Sequence, residues 1–282
     1  MKVPERSAHV SFAARSAIYT VLVLFTVATL YPLFWLVLSS FKSNRDFQLN
    51  PLGWPETWHF QNYALAWRTG DFTRLFINSI LYSGLAATLT ILLALAAGFA
   101  FAKLRSRATP ILYGSFVIGI LLTIQSILVP LFLVANWVGL YNTFWAVLIV
   151  YVGVSMPIAV YLCTQYVQGI PDAVIESARI DGAGYWTIFW SIVAPMSRPV
   201  IVTLAILTVQ GLWNEFILIN ILVSSRSLRS LPVGILSFSG AVGTDHGKQF
   251  AALVIGLVPM VVFYLLFRNQ ITRGVAAGAT KG

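Results

Sequence analysis

Charge is scarce in this sequence. Lysine and arginine number 18 and aspartate and glutamate 9, together 10% of 282 residues, against about 25% in an ordinary soluble domain. Cysteine occurs once, as Cys163, which excludes an intrachain disulfide or a cysteine-built metal site. Histidine occurs three times, at His9, His59 and His246, far apart and outside the apolar runs. No His-x-x-x-His pair or acidic cluster faces a bilayer, and Cys163 has no evident base. The groups that a membrane hydrolase or transferase needs are therefore missing. So is a Gly-x4-Gly-Lys-Ser/Thr loop, so any use of ATP belongs to another chain.

Apolar residues fill the space that charge leaves: 58% are hydrophobic, with a mean hydropathy of +0.82. Continuous runs of about 20 residues recur, the length that carries a helix across a hydrocarbon core. A transmembrane barrel would instead alternate over segments of about ten residues. The fold class expected is an all-α polytopic membrane protein in a single transmembrane domain, 1–282. Six spans are expected, at 17–40, 76–102, 110–134, 143–165, 199–223 and 250–268. The first apolar stretch is too long for a signal-peptide core, which runs about 7–15 residues, and reads as an uncleaved span.

The net charge of +9 points to membrane topology before nucleic acid. Six spans place both termini on one side. That side carries eleven lysines and arginines (2, 6, 15, 103, 105, 107, 179, 198, 268, 273 and 281) against seven on the other (42, 45, 68, 74, 226, 229 and 248). By the positive-inside rule the first side is cytoplasmic, and the short loop Lys103-Leu104-Arg105-Ser106-Arg107 shows the bias best. Segment 42–75 on the opposite side is rich in aromatics, among them Trp54, Trp58, Phe60, Tyr63, Trp67 and Phe72. It reads as an interfacial belt, a loop with a short helix, in contact with membrane lipid. Pro51 and Pro55 exclude one long helix there. Pro32, Pro130, Pro157 and Pro259 fall inside spans, where neighbouring helices can satisfy the freed carbonyls.

The most informative stretch is polar. Between the fourth and fifth spans, at 170–199, three of the nine acids fall within ten residues: Asp172, Glu176 and Asp181. Pro171 suits a helix start and Asp172 complements its positive end. Val174 and Ala178, with Ile175 on the flank, share a face. Gly182 is a natural stop that can take positive φ. A second, greasier helix follows over 184–193, and Pro195 and Pro199 turn the chain into the next span. Physical chemistry alone reads this as a capped interfacial connector.

The spacing adds more. Glu176-Ser177-Ala178-x3-Gly182-x9-Ile192-x-Ala194-Pro195 resembles the EAA loop of permease subunits in bacterial ABC importers, Glu-Ala-Ala-x3-Gly-x9-Ile-x-Leu-Pro, with Ser177 and Ala194 as the departures. The resemblance covers nearly the whole chain. Asn62-Tyr63, Asn78-Ser79, Val129-Pro130-Leu131, Gly139-Leu140, Asn142-Thr143, Ile180-Asp181-Gly182-Ala183, Trp213-Asn214-Glu215-Phe216 and the tail Gly274–Gly282 are similar to the smaller six-span permease of carbohydrate importers of the maltose and glycerol-3-phosphate type. That resemblance implies a second permease subunit, a dimer of ATP-binding subunits that uses ATP and magnesium, and an extracytoplasmic solute-binding protein. It implies a multi-pass protein of the bacterial inner membrane. No cofactor, metal or nucleic acid is implied for this chain. The ATPase-coupling residues would be Glu176, Ser177, Ala178, Asp181, Gly182 and Ala183. The tail either reaches the ATPase or is a frayed glycine- and alanine-rich end.

Within the spans, Gln125, Gln210, Asn214 and Glu215 are the candidate substrate-pathway residues, with Asn136 and Ser155 beside them. Trp213, Tyr151 and Trp137 could offer sugar-stacking faces. Glu215 has two readings: a pathway or gate carboxylate, since intramembrane charge usually faces a cavity, or a group bonded to its own neighbours near the end of its span. A stand-alone secondary transporter or channel is the alternative function. It would carry an internal repeat or more intramembrane charge.

Overall fold

The computed structural model describes residues 12–104, 106–241 and 245–279. Lys2, Arg6, His9, Arg105 and the end of the tail, Thr280–Gly282, lie outside the described residues. Every regular element among the described residues is a helix. Its helices are α1 (Phe12–Ser39), α2 (Asn44–Leu49), α3 (Gln61–Thr69), α4 (Phe72–Lys103), α5 (Thr109–Gly119), α6 (Ile124–Trp137), α7 (Phe144–Gln168), α8 (Asp172–Ile180), α9 (Tyr185–Ile188), α10 (Ala194–Met196), α11 (Arg198–Trp213), α12 (Ile217–Leu222), α13 (Leu231–Ala241) and α14 (His246–Ala279). A π-helical turn, Phe189–Val193, lies between α9 and α10, and a 3-10 turn, Arg226–Leu228, between α12 and α13.

Among the described residues, four helices are long and apolar enough to cross a bilayer: Arg15–Ser39, Phe72–Lys103, Phe144–Gln168 and His246–Arg268. The number rises to six if each of two sharply bent helix pairs is one span. Two stretches expected as continuous spans are interrupted. Residues 110–134 divide into α5 and α6, which meet at 107°. The break has local causes: Thr123 takes an extended N-cap conformation, and Gly119 ends α5 where any added Cβ would sit 3.0 Å from Cγ of Pro157. Residues 199–223 divide into α11 and α12 around Asn214–Phe216. Polar side chains of this kind offer the backbone an alternative to helical bonding.

The chain falls into two units, Met1–Ala66 with Ala241–Ile255, and Trp67–Gly240 with Gly256–Gly282. In the first, α1 leads into a folded-back aromatic segment. Nε1 of Trp35 donates to the Pro51 carbonyl at 2.8 Å, and Trp54 meets Phe34 edge-on at 6.0 Å. Nδ2 of Asn62 donates to the carbonyls of Ser40 and Lys42 at 2.9 and 3.0 Å. Segment 42–75 therefore holds two short helices, α2 and α3, with irregular chain around Pro51 and Pro55.

The second unit is built on α4 and α7, its most extensive helix pair. Gly98 permits their approach: an added Cβ would lie 2.7 Å from Cβ of Cys163 and 2.9 Å from the backbone nitrogen of Thr164. Around that contact an apolar core gathers Leu95 and Phe99 of α4, Val160, Cys163 and Val167 of α7, and Leu204 of α11. The same core continues into Ile170, Ile175, Ile188, Phe189 and Val193. The polar loop is thus seated on the helices that cross the membrane.

Candidate functional site

Helix α8 begins after Pro171, whose missing N–H costs nothing there, with Asp172 in its first turn and Arg179 in its last. Both charges complement the helix dipole. Its end is a Schellman cap. The N–H of Ala183 donates to the Ala178 carbonyl at 2.9 Å, and that of Gly182 to the Arg179 carbonyl at 3.1 Å. Gly182 takes φ of 86°, as expected of the stop residue. Ala178 and Ala183 both pack against the apolar core, so one small-residue contact closes the cap and seats it.

Ile175 is the buried residue of α8, 7% exposed. Burying such a side chain is worth about 1.5–3 kcal/mol over leaving it in water. Glu176, Ser177, Arg179, Ile180 and Asp181 are all exposed. Of the six coupling residues named from the sequence, Glu176, Ser177, Asp181 and Gly182 are thus presented outward, while Ala178 and Ala183 are partly buried. The arrangement is a rigid, mostly polar ridge with an apolar underside.

Three further features of this ridge escaped the sequence reading. Ile180 stands 85% exposed among the charges, an apolar knob beside two carboxylates. The guanidinium of Arg179 lies 5.0 Å from the ring centre of Tyr185, which ties α8 to α9 across the Gly182 turn. Lys103, at the end of α4, donates to the Ile170 carbonyl and to Oδ1 of Asp172, both at 2.6 Å. The first two needed the third dimension. Lys103 was visible only as part of a basic loop.

Beyond α9 the chain widens into the π-helical turn. Its N–H of Ala194 reaches back to the Phe189 carbonyl. Pro195 accounts for this, since its ring crowds the carbonyl four residues back, that of Ser191, and it has no N–H to give. The chain then bends by 73° between Tyr185–Met196 and Arg198–Trp213.

The pathway candidates are more scattered. Gln125 is exposed in the first turn of α6, Gln210 is exposed on α11, and Asn214 is exposed with Nδ2 donating to the Gln210 carbonyl at 2.9 Å. Glu215 is partly buried and fully engaged. Its carboxylate accepts from the Tyr151 hydroxyl at 2.8 Å and from the N–H groups of Leu218 and Ile219 at 2.7 and 3.3 Å. It restarts the helix as α12 by capping its free amides. A cavity of about 260 Å³ lies along α7 and α11, where Ser155, Thr208, Gly211 and Glu215 join its wall. Gln125, Gln210 and Asn214 are not on that wall. Glu215 is thus bonded to its neighbours, one of the two readings offered for it, and it also stands on a cavity wall. Tyr151 is a correction. It is 1% exposed and packs edge-on to Tyr82 at 6.3 Å, so its ring has no free face for a sugar. Trp213 meets Phe76 at 6.3 Å, and Trp137 stands 86% exposed.

Residues 91–275, which include the whole ridge, match the family described as binding-protein-dependent transport system inner membrane component. The chain belongs to this family. It is 32% identical over 96% of its length to the probable ABC transporter permease protein YurM of Bacillus subtilis, covering 90% of that protein. It is 31% identical over 95% of its length to the diacetylchitobiose uptake system permease protein NgcG of Streptomyces coelicolor, covering 88% of it. Among solved structures, a bacterial ABC transporter that imports the acidic polysaccharide alginate superposes with a TM-score of 0.80, at 20% identity, over 95% of this chain and 99% of that one. The protein is thus a membrane permease subunit of an ABC importer with the all-helical fold of such permeases. It is a transport subunit, not an enzyme, and the family implies no cofactor in this chain. Among the described residues no group of three or more histidine, cysteine, aspartate or glutamate side chains could hold a metal ion.

Proposed function

We propose that this permease carries a sugar or sugar derivative inward across the bacterial inner membrane, and that the ridge on α8 is where the driving force enters. On this reading the whole chain, 1–282, works as one permease domain. A second permease subunit forms the other half of the pathway, a solute-binding protein delivers the substrate, and a dimer of ATP-binding subunits hydrolyses ATP with magnesium. Both termini and the loop 170–199 face the cytoplasm, in keeping with the excess of lysine and arginine on that side.

One observation carries the reading. A polar face bearing Glu176, Ser177 and Asp181 is exposed on a capped helix whose other face is built into the core shared by α4, α7 and α11. Such a ridge suits transmission of force: a partner can grip one side while the other side stays fixed to membrane-crossing helices. The carboxylates of Glu176 and Asp181 suit basic groups on the partner, and Ile180 suits an apolar socket between them. The sugar class is supported by the relatives, which include a diacetylchitobiose permease and the alginate importer. Gln125, Gln210, Asn214 and Glu215 are proposed to line the substrate's route, with Glu215 at the cavity wall the strongest of the four.

The Glu176→Lys variant tests the coupling role. It reverses charge at an exposed position and leaves insertion into the membrane intact. Purified with its partners, it should lose stimulation of ATP hydrolysis by the substrate-loaded binding protein. Normal stimulation with normal assembly would refute the docking role of α8.

A further inference from the structure

Two of the three helices that support the ridge are joined to it by the chain itself. Helix α7 runs directly into it through Gly169, Ile170 and Pro171, and α11 follows from it through α10. Helix α4 has no such link: its end at Lys103 is 67 residues from Ile170 and 69 from Asp172. Apolar packing alone holds side chains together without direction, so it would let the end of α4 slide under load.

Lys103 supplies the direction. Its ammonium lies between the carboxyl end of α7 and the first acid of α8. It donates to the Ile170 carbonyl at 2.6 Å and to Oδ1 of Asp172 at 2.6 Å. The Ile170 carbonyl lies just past the end of α7, where the helix dipole favours a cation, and the Asp172 carboxylate offsets the positive end of α8. The lysine side chain is 7% exposed, although Asp172 is 64% exposed. A charge so well removed from water is costly unless bonded, so the ammonium is held where these two acceptors are. Helix α4 has 32 residues and, at 1.5 Å per residue, reaches fully across a bilayer.

We infer that Lys103 is a positioning residue for energy coupling: it fastens the end of α4 to the start of α8, so that a displacement of the ridge moves α4 with it. The inference rests on the reading of α8 as the ATPase-docking helix. Its content beyond that reading is that three helices, not the two continuous with the loop, take up the stroke.

Spin labels test it in the intact, reconstituted importer. The one native cysteine, Cys163, is buried, which leaves room for exposed labelling sites at Ala173→Cys on α8 and Leu93→Cys on α4. The distance between them is measured at rest and after trapping the ATPases with ATP and vanadate. With Lys103 in place the distance should hold on trapping. In Lys103→Met it should shift by about 2 Å or more, the scale of helix shifts in such switches, while Lys103→Arg should behave as wild type. A general loss of stability would instead lower the recovery of assembled complex without separating the two labels. The inference is overturned if the distance already shifts in the wild type, or if it holds in an assembled Lys103→Met. If Lys103→Met does not assemble, Asp172→Ala at an exposed side chain, which removes the acceptor, carries the test, and an unshifted distance there overturns it. Glu176→Lys separates this outcome from the underlying reading. If that variant keeps its stimulated ATP hydrolysis, the docking role of α8 falls, whatever the labels report.

Discussion

Gly182 offers a test whose size can be worked out beforehand. It holds φ of 86°, and an added Cβ would find nothing within 4 Å. Space is therefore not at issue, and the cost of substitution comes from the residue's own backbone. For alanine in the left-handed region that cost is about 1–2 kcal/mol. For β-branched valine it approaches about 3 kcal/mol. What is lost is the cap, with its bonds from Ala183 to Ala178 and from Gly182 to Arg179. The open population of this turn should rise about 5- to 30-fold in Gly182→Ala. At about 1.4 kcal/mol per tenfold, Gly182→Val should exceed about 100-fold. Gly182→Asn should stay nearest to wild type, since asparagine tolerates positive φ. Hydrogen exchange of the amides across 179–183, measured on the purified protein in lipid nanodiscs, reads this population directly. Exchange should quicken in the order wild type, Asn, Ala, Val. If Ala and Val were equal, or Val matched wild type, the left-handed cap would not be what holds the ridge.

Glu215→Leu removes the acceptor for three donors, one of them the buried Tyr151 hydroxyl. At about 1.5–3 kcal/mol for a hydrogen bond to a charged group, the variant should unfold at a clearly lower temperature in detergent, with Glu215→Gln between it and wild type. An unchanged Tm in Glu215→Leu would show that this carboxylate does not hold α12. Gly98→Val places a branched side chain where even one added carbon would lie 2.7 Å from Cβ of Cys163, and should abolish recovery of monodisperse protein on size exclusion. A normal yield would mean that α4 and α7 do not need to approach so closely.

Much of the fold was legible because membrane helices declare themselves by length and composition. Helix α4 contains the expected 76–102, and α7 covers all of the expected 143–165 but its first residue, Thr143, which is the N-cap. The ridge was legible for a different reason: Pro171, Asp172 and Gly182 are local signals that act within one turn of themselves, and Asp172–Ile180 begins and ends where they stand. The breaks at Ile120–Thr123 and Asn214–Phe216 were not legible from hydropathy, since both sides of each break are apolar. At the second break the signal was present in Asn214 and Glu215, polar residues that compete for backbone groups. A Glu215 bonded to its own neighbours was one of its two readings, but the capping of the amides of Leu218 and Ile219 appears only once α12 is in place. Lys103 shows the remaining limit. Nothing near it in sequence announces a bond to residues 67 and 69 positions away, and its loop was fully accounted for as a topology signal. Tyr151 erred in the opposite direction, because an aromatic ring reads alike in sequence whether it is buried or offers a face.

The most direct test of the central claim, that this permease is driven through α8 by a separate ATPase, is to purify the tagged chain from its native membranes in mild detergent and identify what accompanies it. A second permease and an ATP-binding subunit should co-purify in near-stoichiometric amounts. Recovery of the wild-type chain alone, stable and repeatedly so in several detergents, would contradict the claim and point to a transporter that works unaided.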